Sequence, residues 1–339
     1  MNRTAPTTLP AVFYRDAALY EKERTHIFAR SWLLIAHDSQ MPQPGDYVAA
    51  SAAGYPLIVV RGEDGVARGF HNVCRHRAGP LAEDGAGHCE RALVCRYHGW
   101  RYALDGRLAA ARDFGPATDF DPREYALHAL ACETWRGFVF INLAPDAAPL
   151  EGAILPLAER TSGMPIESFS FAHHSRHEIR CNWKTYVENY LEGYHIPLVH
   201  PALNDAVDAT RYEVEIDVPA IIHRAPVRDG VPVAGLWAWT WPCLGINVYR
   251  DGLMMERMWP LDHARTQLDY LYFFPAATPQ SEIDRAMASS ETTTAEDVSI
   301  TQAVQRNLDA GIYQTGRLSP KHEDGVAWFQ RQYRRALDI

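Results

Sequence analysis

Two histidines and two glutamates lie close together in the stretch NWKTYVENYLEGYHIPLVHP, residues 182–201. His195 and His200 are five residues apart, and Glu188 and Glu192 precede them. Neutral imidazole suits divalent iron, and two histidines with one carboxylate leave coordination positions open for oxygen and a substrate. The alternative is a pair of ordinary histidines near a helix terminus. Both interpretations stay open on this stretch alone.

The elements around these histidines can be predicted from the same stretch. Residues Lys184 to Ile196 are expected to form a helix, because no Gly or Pro interrupts them before Gly193 and their apolar residues share a face. Pro197 is expected to end a regular helix, since its ring lacks a donor and clashes with the preceding turn. His195 would then lie at a helix end and His200 just beyond the break. Such a break can turn both imidazoles toward one metal.

A second set of ligand-type residues lies nearer the N terminus, in the motifs CRH and CRYH. Cys74 and His76 form one pair, and Cys95 and His98 form the other. Zinc is a candidate occupant, because two cysteines and two histidines are one of its structural sets. Zinc fingers, however, usually pair Cys with Cys and His with His. One thiolate and one imidazole on each loop instead favour a two-iron cluster with two cysteines on one iron and two histidines on the other.

Together the two sets resemble the α subunit of Rieske non-haem iron oxygenases, also called ring-hydroxylating oxygenases. The resemblance rests on CRHRAG and CRYHGW in the first half and on NWK, EN, EGYH and HP in the second, and it covers nearly the whole chain. It implies a Rieske [2Fe–2S] cluster and a mononuclear iron(II), held respectively by Cys74, His76, Cys95 and His98 and by His195 and His200.

The resemblance also implies a third iron ligand, a distant Asp in the segment AEDVSITQAVQ. Asp297 is the expected residue, and the adjacent Glu296 is the alternative ligand. From the residues alone, Asp297 near the start of a helix could equally be a helix-dipole partner or an N-terminal cap.

Glu192 stands where family members commonly carry Asp, three residues before the first iron histidine. In the family that Asp bridges the ligand to a Rieske histidine of a neighbouring subunit. A Glu at this position is similar to the branch that acts on quaternary ammonium compounds such as choline, carnitine and betaines. Glu192 can also accept a hydrogen bond from the His195 ring, as metal-bound histidines need. We expect both roles together.

The function implied by the resemblance is that of a terminal oxygenase of class EC 1.14, with O₂ as co-substrate. It would hydroxylate or oxidatively dealkylate a small quaternary ammonium or betaine-like compound. The alternative is an aromatic or aromatic-acid mono- or dioxygenase. Outside enzymes, the alternatives are an electron-transfer Rieske protein and a zinc-stabilised binding module. The choice among mono-oxygenation, demethylation and cis-dihydroxylation stays open.

Electrons must come from another protein, because the chain contains no G-x-G-x-x-G motif after a strand and no flavin signature. The resemblance implies a separate NAD(P)H-dependent flavin and iron–sulfur reductase, or a ferredoxin. It also implies a ring-shaped homotrimer in which electrons cross between subunits.

Aromatic residues in LWAWTW, residues 236–241, are candidates for the substrate pocket. Trp237, Trp239 and Trp241 alternate along a predicted strand and could form an aromatic box for a cationic ammonium group. The alternative is a packed sheet core, since large aromatic residues mostly fill cores.

The pattern of elements predicts an α+β protein. Short strands separated by turns indicate a small antiparallel β Rieske domain over residues 45–149. Residues 150–339 are expected to form a helix-and-antiparallel-sheet catalytic domain of helix-grip type, with a long helix from Glu291 towards Ala310. Residues 1–44 would be an N-terminal helical segment that packs on the catalytic domain.

The composition indicates which partners and which cellular compartment to expect. The formal charge of −9 over 339 residues argues against nucleic acid and against an anionic membrane surface as partners. The N-terminal residues lack the apolar core of a signal peptide, and no apolar run approaches a membrane span. Six cysteines in a chain of this length do not form a disulfide framework, so we expect a cytoplasmic protein. Cys89, Cys132, Cys181 and Cys243 are predicted to have no ligand role.

Overall fold

The computed structural model describes residues 4–226, 235–249 and 251–339. The chain divides into two compact units, Ala29–Leu150 and Met1–Phe28 with Glu151–Ile339. We refer to them as the β unit and the helix-and-sheet unit. Within the described residues, no helix combines the length and apolar character needed to cross a bilayer.

The β unit contains ten strands, all paired antiparallel. They are β1 (Leu33–His37), β2 (Asp46–Ala52), β3 (Tyr55–Arg61), β4 (Ala67–His71), β5 (Gly85–His88), β6 (Ala92–Val94), β7 (Arg101–Ala103), β8 (Leu108–Ala110), β9 (Ala129–Trp135) and β10 (Phe138–Asn142). A seven-stranded sheet has the order β1-β10-β9-β4-β3-β2-β5, and a three-stranded sheet has the order β6-β7-β8. The predicted antiparallel β domain is therefore confirmed as a fold.

The N-terminal limit of the β unit lies before the expected boundary at residue 45. Strand β1 pairs with β10 from Leu33↔Ile141 to His37↔Phe138, so the chain joins this sheet sixteen residues earlier than that boundary, at Ala29. The sequence predicts a helix running into a strand over residues 16–36, but that strand was grouped with the N-terminal segment, because it closely follows α1 and lacks the alternation of a half-exposed strand.

A buried apolar cluster in the β unit supports the loops that carry the Cys-His motifs. Ile58, Val60 and Phe70 from β3 and β4 pack with Leu93 and Tyr102 from the small sheet. The β7–β8 turn lies close to this cluster. There Gly106 has φ +88°, and a Cβ at this position would lie 2.4 Å from the Phe70 ring, so only glycine fits.

In its described residues, the helix-and-sheet unit contains seven strands and seven helices. The strands are β11 (Phe169–Ile179), β12 (Glu213–Asp217), β13 (Ala220–Arg224), β14 (Gly235–Thr240), β15 (Leu244–Tyr249), β16 (Gly252–Pro260) and β17 (Thr266–Pro275). The helices are α1 (Ala17–His26), α2 (Leu150–Arg160), α3 (Trp183–Tyr190), α4 (Ile196–Val199), α5 (Pro201–Ala206), α6 (Gln280–Asp309) and α7 (Asp324–Leu337). One antiparallel sheet has the order β11-β17-β16-β15-β14-β13-β12, which confirms the predicted α+β class.

Short 3-10 segments complete the described secondary structure. They are Ala11–Tyr14, Phe28–Arg30, Asp38–Gln40, Pro122–Tyr125, Ile166–Ser168 and Ala209–Arg211.

Helix α3 is shorter than the sequence predicts. Its N-cap Asn182 accepts a hydrogen bond from the Lys184 backbone N–H, as a cap residue should. The helix ends at Tyr190, so the prediction of helix as far as Ile196 was wrong. A Cβ at Gly193 would lie 2.4 Å from the Tyr212 ring, which shows how closely the chain packs after the helix. The residues after α3 therefore form a tight loop.

Helix α6 is longer than the sequence predicts. It begins at Gln280 rather than Glu291 and runs to Asp309, with Gly311 at φ +76° just beyond it. The prediction started too late because Ser and Thr residues, which have modest helix propensity, fill the first half of this helix.

A buried ion pair holds the N-terminal end of α3. Lys184 Nζ lies 2.5 Å from Glu23 Oε1 on α1, and both side chains are almost fully buried. The Trp183 ring N–H and the Tyr333 hydroxyl on α7 also donate to Glu23, at 2.8 and 2.7 Å. Such a pair is costly to break because it would leave one uncompensated buried charge. Helices α1 and α7 therefore fix the position of α3.

Candidate metal centres and active site

His195, His200 and Asp297 bring one ligand atom each to a common point. His195 Nε2 lies 3.1 Å from His200 Nε2, and Asp297 Oδ1 lies 3.0 Å from the latter and 3.7 Å from the former. Donor atoms spaced at roughly 3 Å suit one ion bonded to each at about 2 Å. Two imidazoles and one carboxylate on the same side are the set that non-haem iron(II) prefers.

The local backbone explains how two histidines five residues apart meet. His195 immediately precedes α4, and His200 lies between α4 and α5 with φ −120° and ψ 80°. Pro197 is in the first turn of α4, where a missing N–H costs nothing, so the prediction that it ends a helix was wrong. The helical path is instead interrupted on both sides of α4, between Tyr190 and Ile196 and again at His200. One turn of helix separates the two histidines, so that the centroids of their rings are 5.0 Å apart.

Each histidine has a carboxylate on its other ring nitrogen. Glu192 Oε1 lies 2.5 Å from His195 Nδ1, and Glu296 Oε2 lies 2.7 Å from His200 Nδ1. An acceptor at Nδ1 favours the tautomer that leaves the Nε2 lone pair free for a cation. Glu192 also accepts from the backbone N–H groups of His195, at 3.1 Å, and of Tyr194.

Asp297 is itself held in place by a hydrogen bond. The Asn189 amide donates to Asp297 Oδ1 at 2.6 Å, from the last turn of α3 to α6. Burial alone would lower the pKa of His200, but Asp297 and Glu296 outweigh burial and raise that pKa above its ordinary value. A cation bound between these groups would replace the proton that they otherwise stabilise.

The four predicted cluster residues lie on two loops of the β unit. Cys74 and Cys95 are buried, and the His76 and His98 rings are 4.5 Å apart. Nδ1 of His76 is buried and has no hydrogen-bond partner among the described residues, as a nitrogen reserved for a metal would be. The other side of the ring stacks on Trp100 at 4.9 Å. These features fit a metal cluster held between the loops.

Contacts around the thiols fit the same assignment. The Tyr102 hydroxyl lies 3.2 Å from Cys74 Sγ and accepts from the Arg75 N–H at 2.9 Å. Burial raises the pKa of the Cys95 thiol, while nearby backbone N–H groups oppose that rise. A Cβ at Gly79 would lie 2.9 Å from Cys95 Sγ, so the loop backbone approaches the sulfur closely. Close backbone N–H groups are what stabilises a thiolate ligand.

A cavity of about 710 Å³ adjoins the three candidate iron ligands. Its described lining includes aromatic side chains of Tyr186, Tyr190, Tyr212, Trp237, Tyr249, Tyr270, Tyr272 and Phe274. It also includes the carboxylates of Glu192, Asp251, Glu256, Glu282, Glu296 and Asp297, against a single guanidinium, that of Arg285. The described wall is therefore aromatic and acidic.

Only one of the three predicted pocket tryptophans lines this cavity. Trp237 does so, whereas Trp239 is fully buried and its ring packs 5.8 Å from Phe329 on α7. Trp241 lies beyond the end of β14 and also packs on Phe329. The assignment of Trp239 and Trp241 to the pocket was therefore wrong, because α7 covers that end of the sheet face.

Several cavity residues were missed by the sequence analysis. Glu256 lies in the middle of the fully buried strand β16, and His223 contacts the Tyr212 hydroxyl through Nδ1 at 2.8 Å. The charged pair Glu256–Arg257 inside an otherwise apolar strand was a usable signal, since buried charges are rarely placed without a partner or a function. His223 carried no such signal, whereas Asn189 belongs to the EN motif that supports the family resemblance.

The β unit carries one set of candidate metal ligands and the helix-and-sheet unit carries another, and the family matches identify the class of protein. Residues 31–121 match the family model for the Rieske [2Fe-2S] domain. Residues 166–224 and 215–339 match that for the ring hydroxylating alpha subunit (catalytic domain). The chain belongs to the Rieske oxygenase α-subunit family, and it is an enzyme of class EC 1.14, as predicted.

Relatives with similar sequences cover almost the whole chain. The carnitine monooxygenase oxygenase subunit of Acinetobacter pittii (strain PHEA-2) is 32% identical, over 95% of this chain and 93% of that protein. The chloroplastic choline monooxygenase of Beta vulgaris is 29% identical, over 95% of this chain and 75% of that protein.

Solved structures show the same architecture. A quaternary ammonium Rieske monooxygenase in complex with L-carnitine has a TM-score of 0.89 and 31% identity, over 98% of this chain and 96% of that one. A naphthalene 1,2-dioxygenase from Rhodococcus sp. bound to indole has a TM-score of 0.82 at 19% identity, over 97% and 94%, and so shares the fold.

Proposed function

We propose that this chain is a terminal oxygenase that hydroxylates or oxidatively dealkylates a small quaternary ammonium compound, with O₂ as co-substrate. The observation that carries this proposal is the composition of the cavity beside His195, His200 and Asp297. Eight aromatic side chains line its described wall, together with three carboxylates outside the candidate iron site, those of Asp251, Glu256 and Glu282, against one guanidinium. Such a wall attracts a cation, both through aromatic faces and through charge.

The relatives support the same substrate class. The Acinetobacter pittii relative is a carnitine monooxygenase subunit and the Beta vulgaris relative is a choline monooxygenase. Carnitine and choline share a quaternary ammonium group. The arene alternative has less support, because the naphthalene dioxygenase shares only the fold with this chain.

We propose that Cys74, His76, Cys95 and His98 hold a [2Fe–2S] cluster and that His195, His200 and Asp297 hold a mononuclear iron(II). When bound, the cluster supplies electrons and the iron supplies O₂ chemistry. The residues of this chain position the metal ligands and the substrate. Glu192 and Glu296 orient the histidine rings, Asn189 holds the Asp297 carboxylate, and the aromatic wall excludes water and positions the substrate.

We also propose that a separate reductase delivers the electrons and that the enzyme works as a homotrimer. The absence of a dinucleotide-binding motif in the sequence supports the first part. For the second, Glu192 would link His195 to a cluster histidine of a neighbouring subunit. Light scattering of the active enzyme tests this arrangement, and an active monomer would refute it. The six free cysteines fit a reducing, cytoplasmic setting.

Product analysis tests the proposed activity. The iron-loaded protein would be reduced without oxygen and then given O₂ with a panel of quaternary amines and aromatic acids. We expect one added oxygen, or loss of an alkyl group as an aldehyde, on a quaternary amine. Two added hydroxyls on an arene, with no change to any amine, would refute the proposal and favour the dioxygenase alternative.

A further inference from the structure

Glu256 is part of the cavity wall and lies on the sheet face that carries several of its aromatic residues. It is 3% exposed, and its partners across the sheet are Gly245 on β15 and Tyr270 on β17. Directly opposed residues in a sheet project to the same side, so Glu256 and Tyr270 share a face. A Cβ at Gly245 would lie 3.0 Å from the Tyr190 ring, so this aromatic side chain packs beside Glu256.

One oxygen of this carboxylate lacks a hydrogen-bond partner in the part of the chain that the structure describes. Oε1 of Glu256 is buried and makes no hydrogen bond to any of the described residues. The Tyr186 and Tyr270 hydroxyls interact with the carboxylate and lower its pKa, but burial raises that pKa more, to about 7. A buried carboxylate is costly unless a cation or several donors balance it.

No cation of the strand itself balances Glu256. Its neighbour Arg257 projects to the opposite side of the sheet, where it lies 2.9 Å from Asp269 and over the Trp259 ring. The one guanidinium on the described cavity wall is Arg285, an exposed residue of α6. The cavity side of the sheet thus presents a carboxyl group among aromatic rings with no fixed positive partner among the described residues, and a bound cation would favour its ionised form.

We propose that Glu256 is the counter-ion of the substrate: its carboxylate binds the positively charged nitrogen group and selects cations over uncharged molecules of the same shape. The inference rests on the proposed function, because it names the residue that recognises the charge. Aromatic rings alone attract a cation weakly, whereas a desolvated carboxylate adds a full opposite charge in a cavity with little water. Glu256 is thereby a specificity-determining residue, separate from the candidate iron ligands.

Two compounds of the same shape but different charge separate the effect of the substrate's charge from that of its shape. Choline and 3,3-dimethylbutan-1-ol differ by the exchange of the charged nitrogen for carbon. Binding of both would be measured by calorimetry without oxygen, for the iron-loaded wild type and for Glu256→Gln. We expect the substitution to weaken choline binding by about 30-fold or more and to change binding of the carbon analogue less than about twofold. Glu256→Asp, which keeps the charge, should retain the preference for choline.

Glu188→Gln is the matched control. Glu188 is also a glutamate of this unit whose pKa burial raises to about 7, but it does not line the cavity and is bonded to Tyr14 and Gln330 instead. Its replacement should leave the preference for choline unchanged. Equal losses in both variants, or an undiminished preference in Glu256→Gln, would overturn the inference.

The same experiment separates this inference from the proposed function. If the wild type prefers the cation and Glu256→Gln keeps that preference, the counter-ion assignment fails while the proposed function stands. If the wild type binds choline, carnitine and γ-butyrobetaine no better than the analogues in which carbon replaces the charged nitrogen, the proposed substrate class fails.

Discussion

Glu296 Oε2 lies 2.7 Å from Nδ1 of His200, on the ring edge opposite the nitrogen that faces Asp297. Adjacent residues of α6 thus contact the two nitrogens of one imidazole, Glu296 at Nδ1 and Asp297 at Nε2, where Asp297 Oδ1 lies at 3.0 Å. The geometry gives the two carboxylates different tasks. Asp297 is placed to bind a cation together with the two histidines, whereas Glu296 is placed to orient the His200 ring.

Substitutions of these two carboxylates should have different effects on iron. Asp297→Ala should abolish mononuclear iron binding, because it removes one of three ligands. Glu296→Ala should keep the site but weaken its iron affinity by about 10- to 100-fold, as loss of a ligand-orienting partner does. Iron titration of the apo variants measures both. The acid-labile sulfide content, which reports the cluster in the β unit, should match the wild type in each. A larger loss of iron in Glu296→Ala than in Asp297→Ala would reverse the assignment.

Glu192→Gln should separate metal binding from turnover. The amide oxygen can still accept from the His195 ring, so we expect iron to remain bound. Loss of the negative charge should lower the rate of product formation by about 10- to 100-fold. Stopped-flow spectroscopy of cluster reoxidation, with O₂ and substrate present, measures the step directly. A variant that keeps both metals and the wild-type rate would show that this charge has no part in the reaction.

Trp237→Ala should weaken the binding of a cationic substrate. The indole lines the cavity and its loss should raise KM about 30-fold, equivalent to the roughly 2 kcal/mol of a desolvated cation–π contact. Trp237→Phe keeps an aromatic face and should recover most of the affinity. Steady-state kinetics with a quaternary amine distinguish the two. An unchanged KM in Trp237→Ala would remove this residue from substrate recognition.

Glu188 should make stability depend on pH near neutrality. Burial raises its pKa in the folded protein to about 7, against 4.5 for an ordinary glutamate, while Gln330 and Tyr14 oppose the rise. The folded state therefore holds this proton more tightly than the unfolded state, and its contribution to stability falls as pH rises from about 4.5 to about 7. Glu188→Gln lacks this titration. Urea unfolding at pH 5 and pH 8 should show a smaller loss of stability in the variant, and an equal loss would contradict the assignment.

The sequence indicated the ligand sets more securely than their framework. Cys74, His76, Cys95 and His98 were identifiable because both pairs lie within short, adjacent motifs. The same holds for His195 and His200. Asp297 lies 97 residues after His200, and only the family resemblance pointed to it, since nothing local distinguishes a ligand from a helix-dipole partner.

The cavity wall was the least predictable part. Its described lining comes from helices α3 to α6 and from the five strands β13 to β17, and which side chains face it depends on strand register and on where α7 covers the sheet. Trp237 and Trp239 have the same sequence periodicity but different surroundings. Glu256 faces the cavity and Arg257 faces away for the same reason, the twofold alternation of a strand whose two faces are both buried.

The content of iron, zinc and acid-labile sulfide tests the central claim most directly, because that claim requires two separate iron centres on one chain. The purified protein would be reconstituted anaerobically with iron(II) and sulfide, desalted and analysed. We predict about three irons and two sulfides per chain, with negligible zinc. Stoichiometric zinc without sulfide would indicate a zinc-stabilised module, and two irons with no third would indicate an electron-transfer protein. Either result would contradict the oxygenase assignment.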